Sequence, residues 1–427
     1  MRQQQLFELL KEAVSPYQCV DKVKKDLLSS GFIELSYGKN WKLQPGESYV
    51  VNHHDTTLFA FMVGKDYRKS DMLRMAAAHT DYPCLRLKPN PDFQTDSYAQ
   101  VNVEVYGGPI LNTWLDRPLG VAGRVAVKSG DVFAPQMVFY RSKEPVMMIP
   151  NLAIHMNREV NKGVEINPQT DLMPIVELLS EEEKTTDYFL TFLAAEIGVD
   201  KSDILDFELN TFCMDEARYV GPKKTMISSP RLDNQTSVFA LESAILEGQR
   251  AQGINLIAIF DHEEIGSNTK QGADSILLHD LCRRMLRSLG LSEDEIDSNL
   301  YHAMLLSVDV AHALHPNHKG KMDIIHHPRM GKGFCIKEAS GQTYATDAQA
   351  IGILCQLCEK YRIPYQRFVN RSGMRGGQTL GSMASALLPV KTVDLGVPIL
   401  AMHSACELMG AADLDALTDA VTAYFRE

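Results

Sequence analysis

The chain has 427 residues, 45% hydrophobic and 23% charged, with 28 Gly and 19 Pro, the mix of a folded globular protein and not of a disordered, collagenous or fibrous one. Lys and Arg number 43 against 54 Asp and Glu, a formal charge of −11; with no basic stripe to meet a phosphate backbone, nucleic acid is not an expected partner. At roughly 150 residues per domain the length favours two to three domains, and no run of about 18 apolar residues offers a membrane span.

In chain order, Leu6, Phe7, Leu10 and Val14 fall on one face of a helix over 3–14, with Ser15-Pro16 as its stop. Glu8, Lys11 and Glu12 interrupt any signal-peptide core there. Short β-type runs at 48–52 and 57–63 precede the apolar stretch MLRMAAA, which delivers His79-Thr80-Asp81 at a strand's C-terminal end. From about 83 to 229 the pattern alternates in β fashion (QVNVEVYGG, GRVAVKSGDVF), with Ser129-Gly130-Asp131 as a hairpin turn and a helix near 184–197. After Pro230, helices at 234–250, 275–289, 347–361, 380–387 and from about 413 alternate with strands at 254–260, 303–310 and 366–369. This predicts an α/β domain on a mainly parallel central sheet flanked by helices, formed by 1–82 and 230–427, with 83–229 as a β-rich insert. Ligands collect at the carboxyl ends of strands in such sheets. The eight cysteines are scattered and unlike a disulfide framework, which suggests reduced thiols in a cytoplasmic protein.

Five segments deliver hard-metal ligands directly after apolar runs: AAAHTD (His79, Asp81), SPRLDNQTS (Asp233), IAIFDHEEIGS (Glu263, Glu264), LLSVDVAH (Asp309) and ILAMHSACE (His403). Two imidazoles and several carboxylates without a thiolate suit catalytic zinc or a similar divalent ion. Adjacent Glu263 and Glu264 at the end of a buried strand repel one another and call for a cation.

In this order the segments, together with YGGPILNTWLDRPLGVAGRV, IPNLAIHMNREVN, KEASGQTYATDA and LGVPILAMHSACELMG, resemble the aspartyl aminopeptidase family of dinuclear zinc exopeptidases over nearly the whole chain. The resemblance implies that Asp233 bridges two zinc ions, that His79 and Asp309 complete one site and Glu264 and His403 the other, and that Glu263 is the general base. Cobalt or manganese would tolerate the same ligands. Two cations would polarise the scissile carbonyl and lower the pKa of the attacking water, while the carboxylate moves its proton to the leaving amine. Asp81 would fix the tautomer of His79. His155 matches a histidine that reaches a neighbouring subunit's active site and supports the oxyanion; Lys337 matches a lysine that pairs with an acidic side chain at the substrate's N-terminus. The implied protein removes N-terminal Asp or Glu from short peptides, uses the insert for dimerisation and assembles into a tetrahedral dodecamer.

Gly373 stands where a more polar or acidic residue is expected in the glycine-rich loop 373–377, Arg375 adds a charge there, and His262 replaces a common asparagine, as a hydrogen-bond donor to a metal-holding side chain or as an extra imidazole near the metals. The string His312, His315, His318 spans Pro316 and is expected to be a loop cluster; Cys355 and Cys358 lie on one helix face and are expected in the core. A GxSxG elbow, a P-loop and a Rossmann glycine signature are absent. The alternatives are a neutral-residue aminopeptidase, an N-acyl deacylase on the same metal site, and a catalytically silent oligomeric carrier. The last is disfavoured by the intact ligand set and base.

Overall fold

The computed structural model describes residues 2–180, 187–374 and 376–427. They form two compact units, Met1–Asp81 with Ala217–Met402 and Glu407–Glu427, and Tyr82–Glu216 with His403–Cys406.

The first unit opens with α1 (Arg2–Glu12) and α2 (Pro16–Ser29). Ser15-Pro16 ends the first helix as expected and also starts the second, because proline at the first helical position has no N–H to leave unsatisfied. One sheet then takes nine strands: β1 (Ile33–Leu35), β2 (Ser48–His53), β3 (Thr57–Val63), β4 (Leu73–His79), β5 (Ile254–Phe260), β6 (Met304–Val308), β7 (Phe334–Glu338), β8 (Tyr365–Val369) and β9 (Lys391–Gly396). Its order is β1-β2-β3-β5-β4-β6-β9-β7-β8. Five of the eight pairings are parallel, including the central run β5-β4-β6-β9, and three are antiparallel. The sheet is therefore mixed with a parallel centre.

Both faces of this sheet are covered, so its central strands are apolar on both sides and not alternating. One core packs Ala76, Ala78, Ile257, Leu306 and Val393 against α1, α2, α3 (Leu232–Glu247), α6 (Ala348–Tyr361) and α8 (Ala411–Arg426). The other packs Met75, Ala77, Leu256, Ala258 and Leu305 against α4 (Leu277–Ser288), α5 (Glu293–His302) and α7 (Leu380–Leu387). The helices α2 and α5 and the strands β1, β7 and β9 are additions to the elements read from sequence. Strands Arg218–Val220 and Met226–Ser229, which the sequence groups with the β-rich insert, belong to this first unit, where Met226–Ser229 pairs with Glu407–Gly410.

The second unit is an antiparallel six-stranded sheet. The hairpin expected around Ser129-Gly130-Asp131 joins Leu119–Val127 to Gln136–Arg141 by a loop longer than a tight turn. A helix at Tyr188–Ile197 presents the amides of Phe189 and Leu190 to the Asp92 carboxylate; residues 184–186 of the expected helix lie outside the described residues. Among the described residues no helix is long and apolar enough to cross a membrane. All eight cysteines are thiols outside any disulfide, six of them buried. Cys358 is in the core as expected, whereas Cys355 on the same helix is only half-buried.

Candidate metal centre

The parallel register of the central strands brings the unusual residues together. Phe260 of β5 pairs with His79 of β4, and Ser307 of β6 with Ala77, so the segments after these strands leave the sheet at one edge and nearly one level. His79 ends β4, Glu263 and Glu264 sit in a short 3-10 turn after β5, Asp309 follows β6, and Asp233 lies in the kinked first turn of α3. The Asp233-Asn234 peptide is cis. Arg231 and His262, each next to a ligand-bearing segment, have φ of 60° and 63°, left-handed values that non-glycine residues adopt where surrounding structure dictates them, often at functional sites.

His79 is buried, with Nε2 3.5 Å from Asp233 Oδ1 and 3.6 Å from Asp309 Oδ1. Ligand atoms of His79, Asp233 and Asp309 lie within 4.8 Å of one another, and so do those of His79, Glu263 and Glu264. Burial disfavours a charged His79 ring, but the carboxylates of Asp233, Asp309 and Asp81 outweigh it and hold its pKa well above the usual histidine value. Burial raises Glu263, and Asp309, Asp81 and Asp233 add to that while His79 opposes it. Both shifts say the same thing: the pocket carries surplus negative charge and favours a cation.

Asp81 does more than orient its neighbour. The His79 Nδ1 lies 3.1 Å from the Asp81 carbonyl and 3.3 Å from its Oδ1, and the Asp81 carboxylate also accepts the backbone N–H groups of Glu263 and Glu264, each at 3.1 Å. One buried side chain therefore places an imidazole and two glutamates. His262 turns to Thr269 Oγ1 at 2.8 Å and to the Asp261 carboxylate at 3.3 Å.

Lys337 is fully buried. Its Nζ donates to the Val310 carbonyl at 3.0 Å, lies 3.5 Å from Asp309 Oδ2, and stands 5.1 Å from the Tyr344 ring centroid. Asp309 foremost raises its pKa against the opposing effect of burial. In the same unit a cavity of about 320 Å³ is lined by His312, His315, His318, Lys321, Asn370 and Arg371 among others, so the three histidines set aside as a loop cluster face a cavity. Gly373 has φ 82°; Arg375 lies outside the described residues.

Glu407 was missed from sequence, where a lone glutamate in SACELMG carries no motif of its own; it accepts the Asp233 N–H at 3.0 Å. Asn234 donates to the Val308 carbonyl and Gln235 to that of Thr80, both at 3.0 Å, tying the start of α3 to β6 and β4. Within the second unit, His403 has φ 66° and Nδ1 3.0 Å from the Gly108 carbonyl, and His155 is exposed in a turn.

Residues 9–425 match the family model described as aminopeptidase I zinc metalloprotease (M18). The chain is an M18 zinc metalloaminopeptidase. A probable M18 family aminopeptidase 2 of Clostridium acetobutylicum is 40% identical over 409 residues, covering 96% of this chain and 94% of the relative. Among solved structures, the cryo-EM structure of the Ape4 and Nbr1 complex matches this M18 chain with TM-score 0.95 at 32% identity, covering 99% of it and 85% of the other chain. The S. cerevesiae mApe1 dodecamer shares the fold, with TM-score 0.85 at 24% identity over 99% and 96% of the two chains. Zinc suits the M18 donor set found here. An imidazole and four carboxylates, with no thiolate, converge where the local electrostatics already favour positive charge.

Proposed function

We propose that this M18 enzyme binds two zinc ions per subunit and removes an acidic N-terminal residue from short peptides. The observation that carries the reading is the convergence of His79 with Asp233, Asp309, Glu263 and Glu264 in two overlapping groups, more carboxylate than one cation balances. In this reading Asp233 would be shared by the two ions, His79 and Asp309 would hold one and Glu264 and His403 the other, and cobalt or manganese could substitute. When bound, such ions would supply Lewis acidity toward the peptide carbonyl and the attacking water. Glu263 takes the proton from that water and delivers it to the departing amine. Asp81 keeps both the His79 ring and the Glu263 backbone in place for this transfer.

The acidic preference rests on Lys337 and on the Lys321 and Arg371 charges in the lining of the cavity, which complement a carboxylate side chain. His155 is assigned to the oxyanion of a neighbouring subunit's site. A homo-oligomer, dimers through the second unit assembling into a tetrahedral dodecamer, is supported by that unit's apolar exposure: Val132 is 92% and Phe133 97% exposed. The fold neighbour mApe1 is itself named a dodecamer.

The test is kcat/KM of the zinc-loaded enzyme on dipeptide-like substrates that differ only in an N-terminal Asp, Glu, Leu, Ala or Lys, beside a zinc titration for stoichiometry. Asp and Glu should lead by about tenfold or more, about 1.4 kcal/mol of discrimination, and Lys337→Glu should abolish the lead. A lead by Leu or Ala refutes the acidic preference, and one tightly bound zinc per chain refutes the dinuclear site.

A further inference from the structure

The strand β9 puts a carboxylate, Asp394, in the middle of the sheet with no exposure to solvent. In register it lies between Ser307 of β6 and Lys337 of β7. Ser307 is two residues before Asp309, so Asp394 stands one layer beneath the ligand level. Such a group is costly to bury unless its hydrogen bonds are satisfied, and its partners are informative. Oδ1 accepts from Ser307 Oγ at 2.5 Å and from Thr379 Oγ1 at 2.6 Å; Oδ2 accepts the Ala345 N–H at 2.6 Å; and the Asp394 N–H donates to Thr346 Oγ1 at 3.0 Å.

Three of these contacts reach outside the sheet, into two segments that the metal reading does not use. Ala345 and Thr346 belong to the loop that carries Tyr344, over whose ring the Lys337 ammonium stands. Thr379, just before α7, lies downstream of Asn370 and Arg371, which line the cavity of about 320 Å³. The Thr379 N–H also donates to the Thr343 carbonyl at 3.2 Å, so the two segments meet. The first turn of α7 reaches Asp394 only because residue 381 is glycine: a Cβ there would lie 2.5 Å from Ser307 Cβ and 2.9 Å from Asp394 Oδ1.

We propose that Asp394 is a positioning residue for substrate specificity, a buried clamp that holds the 339–347 segment and residues 376–379 together and keeps Lys337 in place beneath an incoming side chain. It rests on the aminopeptidase reading for its kinetic consequence but not for its structural one. It touches neither substrate nor metal.

The test uses full-length Asp394→Asn, with Thr379→Val and Gly381→Ala as milder breaks in the same clamp. An amide cannot accept from all three donors as the carboxylate does. For the acidic substrate we expect KM to rise about tenfold with kcat within roughly threefold, and zinc affinity to stay within roughly twofold. Hydrogen exchange should speed up in 339–347 and 376–379 together, the Ala345 amide included, in Asp394→Asn and in Thr379→Val. Unchanged exchange in either segment overturns the clamp, even if KM moves. Loss of zinc affinity with unchanged KM assigns Asp394 to the metal ligands instead and overturns it too. If the Asn variant does not fold, Thr379→Val decides through the exchange of 339–347, a segment it does not belong to. The exchange result stands whatever the wild type's preferred substrate, so a failed acidic preference and a failed clamp are distinguishable.

Discussion

Asp81 shows how much a single side chain can set. Its carboxylate accepts two consecutive backbone N–H groups, of Glu263 and Glu264, while it also faces the His79 ring. Asn at this position would turn an N–H₂ toward one of those donors and drop the charge. We expect Asp81→Asn to lower zinc affinity by roughly 10- to 100-fold, the usual cost of removing an outer partner of a metal-binding histidine, measured by competition with a chromogenic chelator. Glu263 predicts a different signature. Glu263→Gln should keep zinc content unchanged while kcat falls by about 10² to 10⁴ for lost proton transfer; an equal loss of zinc would make Glu263 a ligand and not the base. The sequence made most of this constellation legible because His79, Glu263, Glu264 and Asp309 come at or just past the end of an apolar strand. It could not show Glu407 on the Asp233 N–H, or that Lys337 is buried against Asp309, because both are long-range pairings without a local pattern.

At the scale of elements, periodicity found most helices with one amphipathic stripe, though not α2 with its buried Val20, Val23 and Leu27, and the strands that are apolar throughout, β3, β4, β5 and β6 among them. It failed at β9, because Lys391, Thr392 and Asp394 break the apolar run of KTVDLG; only Ser307, Thr379 and Ala345, remote in sequence, make the aspartate tolerable. The helix α5 had a readable start, since Ser292 and Glu295 form a capping box, but only Ile296, Asn299 and Leu300 of it are buried. The end of β9 carries a prediction. A Cβ on Gly396 would stand 1.8 Å from the Asp309 carbonyl oxygen, so Gly396→Ala must displace the Asp309 backbone from its present place between β4 and β9. The expected outcome is a melting temperature lowered by an overpacking cost of about 1–3 kcal/mol, with zinc binding weakened in the refolded fraction. A variant with unaltered melting and zinc affinity would mean that β6 and β9 separate freely at this edge.

Across the whole molecule, the acidic balance of −11 is accompanied by a buried carboxyl group further along α3 from Asp233. Glu242 of α3 is pushed up to about 8, by burial first and then by Asp26, with Lys22 opposing. An acid raised on folding contributes stability that is complete below its unfolded pKa and is lost as pH climbs to the folded value. Stability should therefore fall between pH near 4.5 and about 8, by up to about 1.4 kcal/mol per unit. Glu242→Gln should melt higher than wild type at pH 8 and show a much smaller difference at pH 5; a constant difference across that window would refute the assignment. The free thiols lead elsewhere. Cys19, Cys282, Cys335 and Cys358 are buried in the first unit, Cys84 and Cys213 in the second, and burial pushes Cys282 and Cys358 up to about 12. Such thiols react with an alkylating probe only when their surroundings open. The chain thus carries a stopwatch in each unit, and the rate at which each thiol takes up label times the opening of one unit separately from the other.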